Sequence, residues 1–346
     1  MNPDDTIQTE PQPTCPLCQT PGQIRYQDLT DRLFGAPGTW TVKECSSATC
    51  GSLWLDPRPT LADVGKAYRN YYTHGDEGLS RLVRRVVRAV AREYAAVRYG
   101  FPASRLPAPG PRLVAALAAS YPGLREHLDL LVRYTPATEQ GRGRLLDVGC
   151  GDGQSLEILA DLGWTVSGVE VDPSAVAVAR GRGLDVHHGT LGEAGFADDT
   201  FDVVTSSHVI EHVHDPAEFL LQSRRVLRPG GRLLTVTPNA RAMLLQRHGA
   251  SWLPLDPPRH LLLFTAASLE TLARRVGFRE VGVRSTARAV ALNEIASTEI
   301  AREGHYTWGT WPGLPLWLRA QIQQLRQSVA VRSGAEGEEL VLTAVK

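Results

Sequence analysis

The chain has 346 residues, with 37 Lys plus Arg against 37 Asp plus Glu, and 42% of it is hydrophobic. That length exceeds one typical domain and that apolar share supports a large buried core, while the balanced charge argues against a globally basic nucleic-acid surface. No apolar run reaches the ~20 residues of a membrane span. The N-terminal MNPDDTIQTEPQPT is polar and acidic where a signal peptide is basic and then apolar, so the expectation is a cytoplasmic protein.

Four of the five cysteines fall in the first fifty residues, as Cys15-x2-Cys18 and Cys45-x4-Cys50. In a reducing compartment two such knuckles predict a structural zinc site, because thiolates are preferred zinc ligands and four of them leave no open position for catalysis. The metal would fold a segment too small for a core of its own. The second knuckle is longer than the usual two-residue spacing, which leaves a metal-free variant open. A tyrosine-rich stretch with Tyr68, Tyr71 and Tyr72 follows, and residues 1–75 read as a zinc ribbon plus connector.

Residues 76–140 read as a helical region. From Ser80, SRLVRRVVRAVAREYAAVRYG places apolar residues at helical spacing, with Arg81, Arg84, Arg85, Arg88 and Arg92 on much of the other face. Such a face is usually solvated, but it can also lie on a membrane surface or track phosphates. Phe101 to Pro111 is Pro-rich and reads as a connector, and a second helix is expected over Arg112 to Ser120.

The run LLDVGCGDG, Leu145 to Gly153, is an apolar strand ending in an acid and then three alternating glycines. Glycine permits the positive φ and close approach that a strand-to-helix turn over a nucleotide-like ligand demands, and the following helix points free N–H groups at it. A dinucleotide fingerprint needs GxGxxG and would put its third glycine where Gln154 stands. With Asp147 before Gly149, Gly151 and Gly153, the pattern instead resembles motif I of class I S-adenosylmethionine-dependent methyltransferases.

The resemblance continues in order. WTVSGVEVDPSAVAVAR from Trp164 gives a strand ending at Glu170 and a helix start at Asp172-Pro173, and the resemblance implies that Glu170 accepts the ribose hydroxyls. GTLGEAGFADDTFDVVTSSHVIEHV, Gly189 to Val213, looks like the exit of the third strand and then the fourth strand. It implies that Thr190 and Leu191 lie beside the adenine and Ser206 and Ser207 at the strand exit. Many relatives carry an acid at the position of Thr190, so the adenine contact is the weaker one here. RRVLRPGGRLLTVTPN, Arg224 to Asn239, reads as a helix ended by Pro229-Gly230-Gly231 and then a fifth strand; Phe264 to Ser285 and Glu338 to Lys346 read as the last crossover, sixth strand and antiparallel seventh strand.

The expected fold is therefore a doubly wound α/β sheet of seven strands over 141–346, interrupted by an insertion at about 287–333 carrying Tyr306, Trp308, Trp311 and Trp317. Aromatic residues in an insertion suggest a lid or platform for an apolar or lipid-linked acceptor, or a satellite core over the sheet. Together with the knuckles, the tyrosine-rich segment resembles a bacterial methyltransferase group with an N-terminal zinc ribbon. Two roles are open for Tyr68, Tyr71 and Tyr72, closing over the methionine end of the cofactor with a flat apolar face and a hydroxyl, or packing between domains; Cys150 in the glycine turn reads as a small packed residue.

In HVIEHVHDP, a helical turn would bring His208, Glu211 and His212 to one face, with His260 of PPRHLLLFT a candidate fourth member. Ligands in doubly wound folds sit outside the carboxyl ends of the strands, so these residues border the reaction site. The pattern resembles ubiquinone-biosynthesis O-methyltransferases and the enzymes that 2′-O-methylate small-RNA 3′ ends, in which a divalent ion binds near this segment. The RNA enzymes carry glutamate where this chain has His208, which makes the set softer and less suited to magnesium. Three roles stay open: a second divalent metal site, a metal-free general base at His212 or His208, and pocket lining. The expected activity is methyl transfer from S-adenosylmethionine to a small molecule, oxygen ahead of carbon. RNA methylation and an idle cofactor-binding module are the alternatives; peripheral membrane contact is compatible and the oligomeric state is undetermined.

Overall fold

A computed structural model describes residues 6–69, 81–102, 109–135 and 143–346. The N-terminal part contributes short strands β1 (Thr9–Glu10), β2 (Gly22–Leu29), β3 (Trp40–Cys45), β4 (Leu53–Leu55) and β5 (Arg58–Pro59). Helices α1 (Arg81–Tyr99), α2 (Pro109–Ser120) and α3 (Pro122–Leu131) follow. The main sheet comprises β6 (Arg144–Val148), β7 (Thr165–Glu170), β8 (Val186–His188), β9 (Phe201–Ser207), β10 (Leu227–Pro238), β12 (Arg279–Thr286) and β13 (Glu339–Val345). Its order is β12-β13-β10-β9-β6-β7-β8, parallel except that β13 runs antiparallel to both β10 and β12. Apolar side chains fill the centre: Leu145, Leu146, Phe201, Val204 and Val236 are all fully buried, as expected of strands covered on both faces.

Crossover helices α4 (Gln154–Asp161), α5 (Pro173–Gly181), α6 (Pro216–Val226) and α8 (Ala266–Arg275) connect these strands, and α7 (Met243–His248) follows β10. Asp172 and Asp215 cap α5 and α6 by accepting from Ser174 N and Glu218 N, each with proline at the first helical position. The helix before the fifth strand ends earlier than Pro229, at Val226. Leu227 is already extended and pairs with Phe201, and the register then shifts before Arg232, with Gly230 at φ +77° in between. Pro229 biases the residue before it toward extended backbone, which favours strand over helix there.

The N-terminal part is stitched into the rest rather than tethered to it. Strand β11 (Leu262–Leu263), which lies beyond the reaction loop in sequence, pairs with β4 and completes a four-stranded sheet in the order β11-β4-β3-β2. Cys15, Cys45, Cys50 and Trp54 belong to the same apolar cluster as Phe264 and Leu269. Arg88 of α1 donates to Asp161 at 2.8 and 2.7 Å and to Glu157 at 3.1 Å, which docks α1 on α4. The insertion is a hairpin of α9 (Val290–Glu303) and α10 (Leu314–Arg332), placed between β12 and β13. Tyr71, Tyr72 and the expected boundaries at 75 and 140 lie outside the described residues.

Candidate active site

The cofactor turn has the expected conformation, with Gly149, Gly151 and Gly153 at φ +72°, +56° and +83°. A Cβ on Gly149 would stand 2.3 Å from Val209 Cγ2, so the turn lies directly against the loop that leaves β9. Glu170 at the end of β7 folds its carboxylate back on this turn. It accepts from Gly151 N at 2.8 Å, Val171 N at 2.8 Å and Asp172 N at 3.0 Å, which fixes an anion at the mouth of the turn. Cys150 is buried in an apolar cluster with Leu156 and Val176, and burial raises its thiol above the usual range; it packs, as expected.

Asp147 is fully buried and takes Thr205 Oγ1 at 2.7 Å and Arg133 Nη2 at 2.6 Å. Sequence reading missed Arg133, which follows α3 at φ +52°. No local motif marks it, since its partner is fourteen residues away and only the fold joins them. Arg133 Nη1 makes no hydrogen bond among the described residues. Leu191 is buried, and Thr190 donates its hydroxyl and its N–H to Glu193 Oε2, both at 2.8 Å. A carboxylate thus stands beside Thr190, supplied three residues downstream. Ser206 departs from expectation: its hydroxyl bonds Thr235 Oγ1 at 3.1 Å inside the sheet, because strand alternation turns it inward and leaves Ser207 at the exit.

Beyond β9 the segment is a turn and not a helix, and it divides the histidines. His208 sits in the left-handed region at φ +55°. Its Nδ1 lies 3.1 Å from Glu211 Oε1 and its Nε2 lies 3.0 Å from Glu339 Oε1 and 2.7 Å from Arg288 Nη2. Both carboxylates are ionised. Burial opposes this, yet His208 brings Glu211 down to about 2, and Arg288 with His208 does the same for Glu339. His208 Nε2 stands between the Glu339 carboxylate, which only accepts, and the Arg288 guanidinium, which only donates. Burial again works against the charge, but Glu339 and Glu211 outweigh it and raise His208 to about 9. His208 lies outside the metal-ligating group expected to contain it.

That group is Glu211, His212 and His260, each offering a ligand atom within 4.8 Å of the others. His212 Nδ1 lies 3.0 Å from Arg259 O and 2.9 Å from Tyr68 Oη, and His260 Nδ1 lies 2.7 Å from Pro254 O. A carbonyl only accepts, so both rings carry their proton on Nδ1 and their lone pair on Nε2. Burial holds both at about 4, so both are neutral near pH 7. Glu211 Oε2 accepts from Thr237 Oγ1 at 3.0 Å. Two neutral imidazoles oriented by carbonyls and one ionised carboxylate form a donor set that fits a divalent cation with open positions.

Arg259 holds this arrangement from behind. It is fully buried, meets Asp31 through two hydrogen bonds of 2.7 and 2.8 Å, and also pairs with Asp256. Its guanidinium reaches the N-terminal part while its carbonyl orients His212. A cavity of about 470 Å³ is lined by the polar His208, His260, Arg288 and Glu339 and by the apolar Phe34, Leu292 and Trp308, among others. The insertion divides its aromatics between the two expected roles: Trp308 faces the cavity, while Tyr306 is buried with Leu253, Ala296 and Ile300 in a satellite core.

The four N-terminal cysteines also converge. Cys15 and Cys50 sulfurs lie 3.7 Å apart, Cys18 and Cys45 3.4 Å, and all four lie within 4.8 Å of one another. A zinc tetrahedron with ~2.3 Å bonds has edges of about 3.8 Å, so the set fits that ion.

The strand order, the glycine turn and the acid on the second parallel strand agree with a comparison of sequences, in which residues 123–282 match a family model described as a methyltransferase domain. Residues 123–282 are thus a methyltransferase domain. The domain resembles a Mycolicibacterium smegmatis protein named "Probable S-adenosylmethionine-dependent methyltransferase", 36% identical over 178 residues, 51% of this chain and 66% of that protein. It also resembles a ubiquinone biosynthesis O-methyltransferase of Cereibacter sphaeroides, 36% identical over 150 residues, 40% of this chain and 61% of that enzyme. The chain thus spans about 61–66% of the length of these curated relatives. Among solved structures, phosphoethanolamine N-methyltransferase 2 of Haemonchus contortus aligns over 85% of this chain and 62% of its own, at 18% identity and a TM-score of 0.47.

Proposed function

We propose that this chain transfers the methyl group of S-adenosylmethionine to an oxygen of a small-molecule acceptor seated in the cavity in front of His260, Arg288 and Trp308. The observation that carries the reading is the contact between cofactor turn and reaction loop: Gly149 abuts Val209, between His208 and Glu211. A methyl donor held by the turn would border the Glu211 and His212 group with no intervening element.

Bound S-adenosylmethionine supplies a methyl already activated on a sulfonium. What remains for the chain is to hold donor and acceptor in line and manage one proton. Glu170 is the acceptor for the ribose hydroxyls, Leu191 and Thr190 flank the adenine, and Arg133 is the cation available to the methionine carboxylate. Glu211, His212 and His260 would hold a divalent cation that lowers the pKa of the acceptor hydroxyl; two nitrogens and one carboxylate favour manganese, cobalt, nickel or zinc over magnesium. A separate zinc on Cys15, Cys18, Cys45 and Cys50 would be structural. The apolar wall of Phe34, Leu292 and Trp308 suits an acceptor with an apolar or lipid-linked portion.

The test is transfer of labelled methyl into a fractionated extract of small molecules, with total RNA in a parallel arm. Activity that is lost after brief chelation, while the cysteine-bound zinc stays in place, and that returns with manganese or zinc supports the full reading. Activity unchanged by chelation assigns the proton to His212 alone and removes the second metal. Label entering RNA overturns the acceptor class.

A further inference from the structure

One short loop of the cysteine-rich part, residues 31–36 between β2 and β3, reaches the acceptor side in two ways. Its anchor is Asp31, whose side chain is fully buried. Oδ1 accepts from Leu33 N at 2.9 Å, Phe34 N at 3.1 Å and Arg259 Nη2 at 2.8 Å, and Oδ2 accepts from Ala36 N at 2.8 Å and Arg259 Nη1 at 2.7 Å. Burial works against this charge, but Arg259 and the N–H groups of Leu33 and Ala36 hold the carboxyl below its usual range. The carboxylate therefore folds its own loop and, by a two-point contact, fixes the direction of a planar guanidinium. A role confined to stability needs neither, since well-packed apolar residues in place of a buried ion pair are often as stable.

Both consequences end in the reaction site. Arg259 Nη1 also donates to Ala67 O at 3.1 Å, and the Arg259 carbonyl lies 3.0 Å from His212 Nδ1. Tyr68 Oη lies 2.9 Å from the same nitrogen, but a hydroxyl can donate or accept, so the carbonyl alone decides that His212 carries its proton on Nδ1. On the loop itself, Phe34 lines the cavity and its ring centre lies 4.8 Å from the Arg259 guanidinium. Arg32 O accepts from Tyr306 N at 3.0 Å, and Tyr306 packs edge-on at 5.1 Å against Trp308, which lines the same cavity. The aromatic lining at Phe34 and Trp308 is thus drawn from the N-terminal part and the insertion, which the loop ties together.

We propose that Asp31 is a positioning residue for methyl transfer: through Arg259 it holds the carbonyl that orients His212, and through its own loop it sets Phe34 as the side chain that selects the acceptor. The cysteine-rich part thereby completes the acceptor site. This rests on the reading of His212 and the cavity as the acceptor side, so the test has one arm that needs no acceptor. With histidine ring nitrogens isotopically labelled and no divalent ion added, the NMR signals lost in His212→Ala identify His212. Wild type shows the Nδ1–H tautomer, whereas Asp31→Asn, folded by circular dichroism and unchanged in S-adenosylmethionine affinity, shows a mixture of both tautomers. Phe34→Ala keeps the wild-type His212 signals. With the most active fraction of a small-molecule extract as acceptor, it raises the half-saturating amount by about tenfold or more, a larger change than in maximal rate. A wild-type His212 protonated on Nε2 overturns the proposal, as does a folded Asp31→Asn with wild-type His212 signals or a Phe34→Ala with unchanged half-saturation. If Asp31→Asn does not fold, the wild-type signals and Phe34→Ala decide. An extract that accepts no methyl from wild type counts against the proposed function instead, and leaves the His212 signals to decide the role of Asp31.

Discussion

The cofactor half and the acceptor half of this site are built in different ways. The cofactor half is made of consecutive strand-to-helix turns: Gly149 to Gly153 after β6, Glu170 after β7, Thr190 and Leu191 after β8. On the proposed reading each turn carries its own role within a few residues. The acceptor half is assembled from four distant segments, around residues 31–34, 208–212, 254–260 and 288–339, joined by buried charges. A local turn tolerates change in its surroundings, whereas a site held by paired buried charges fails as a unit.

The most severe way to break the acceptor half is at its clamp. Arg259→Met removes the charge between Asp31 and Asp256 and leaves two buried carboxylates uncompensated, so urea unfolding should show a loss of about 3–5 kcal/mol. S-adenosylmethionine affinity of the folded fraction should change far less than turnover, because the clamp reaches His212 and not the glycine turn. Next in size is His212→Ala, for which turnover falls by about two orders of magnitude with cofactor affinity unchanged in calorimetry. Glu170→Gln is the mirror experiment: it should weaken the cofactor roughly tenfold or more by removing a charge-assisted ribose contact, with stability lowered by about 1–3 kcal/mol because the amide NH2 meets a backbone N–H donor of the turn.

The remaining expected effect is on pH dependence. His212 and His260 titrate at about 4 in the folded chain against ~6.5 when unfolded. Between those values the unfolded state binds more protons, so stability is full above pH 6.5 and falls as pH drops toward 4. Replacing both histidines with glutamine should flatten this slope in urea titrations after divalent ions are removed; an unchanged slope would show that other groups carry it.

The same contrast explains what was legible in the sequence. The glycine turns and proline helix starts are local features of the sequence, and the seven-stranded order with its antiparallel last strand was legible through the family resemblance that those motifs carry. Asp147, Glu170 and the alternating glycines were readable for the same reason. The inward turn of Ser206 was not, because it depends on which face of β9 meets Thr235. Nor was the separation of His208 from His212 and His260: spacing brings i, i+3 and i+4 together only in a helix, and here the chain turns at a left-handed residue. Arg133, Arg259 and Arg288 carry no motif, since each is defined by a carboxylate that is remote or placed by the fold. The pairing of β11 with β4, which merges the cysteine-rich part with the methyltransferase domain, likewise joins segments about two hundred residues apart.

The most direct measurement compares wild type with His212→Ala for both cofactor binding and labelled methyl transfer into a small-molecule extract. The account predicts equal S-adenosylmethionine affinity in the two proteins, with transfer by the wild type at least about a hundredfold faster. Equal transfer by both, or a wild type that does not bind S-adenosylmethionine, would contradict it.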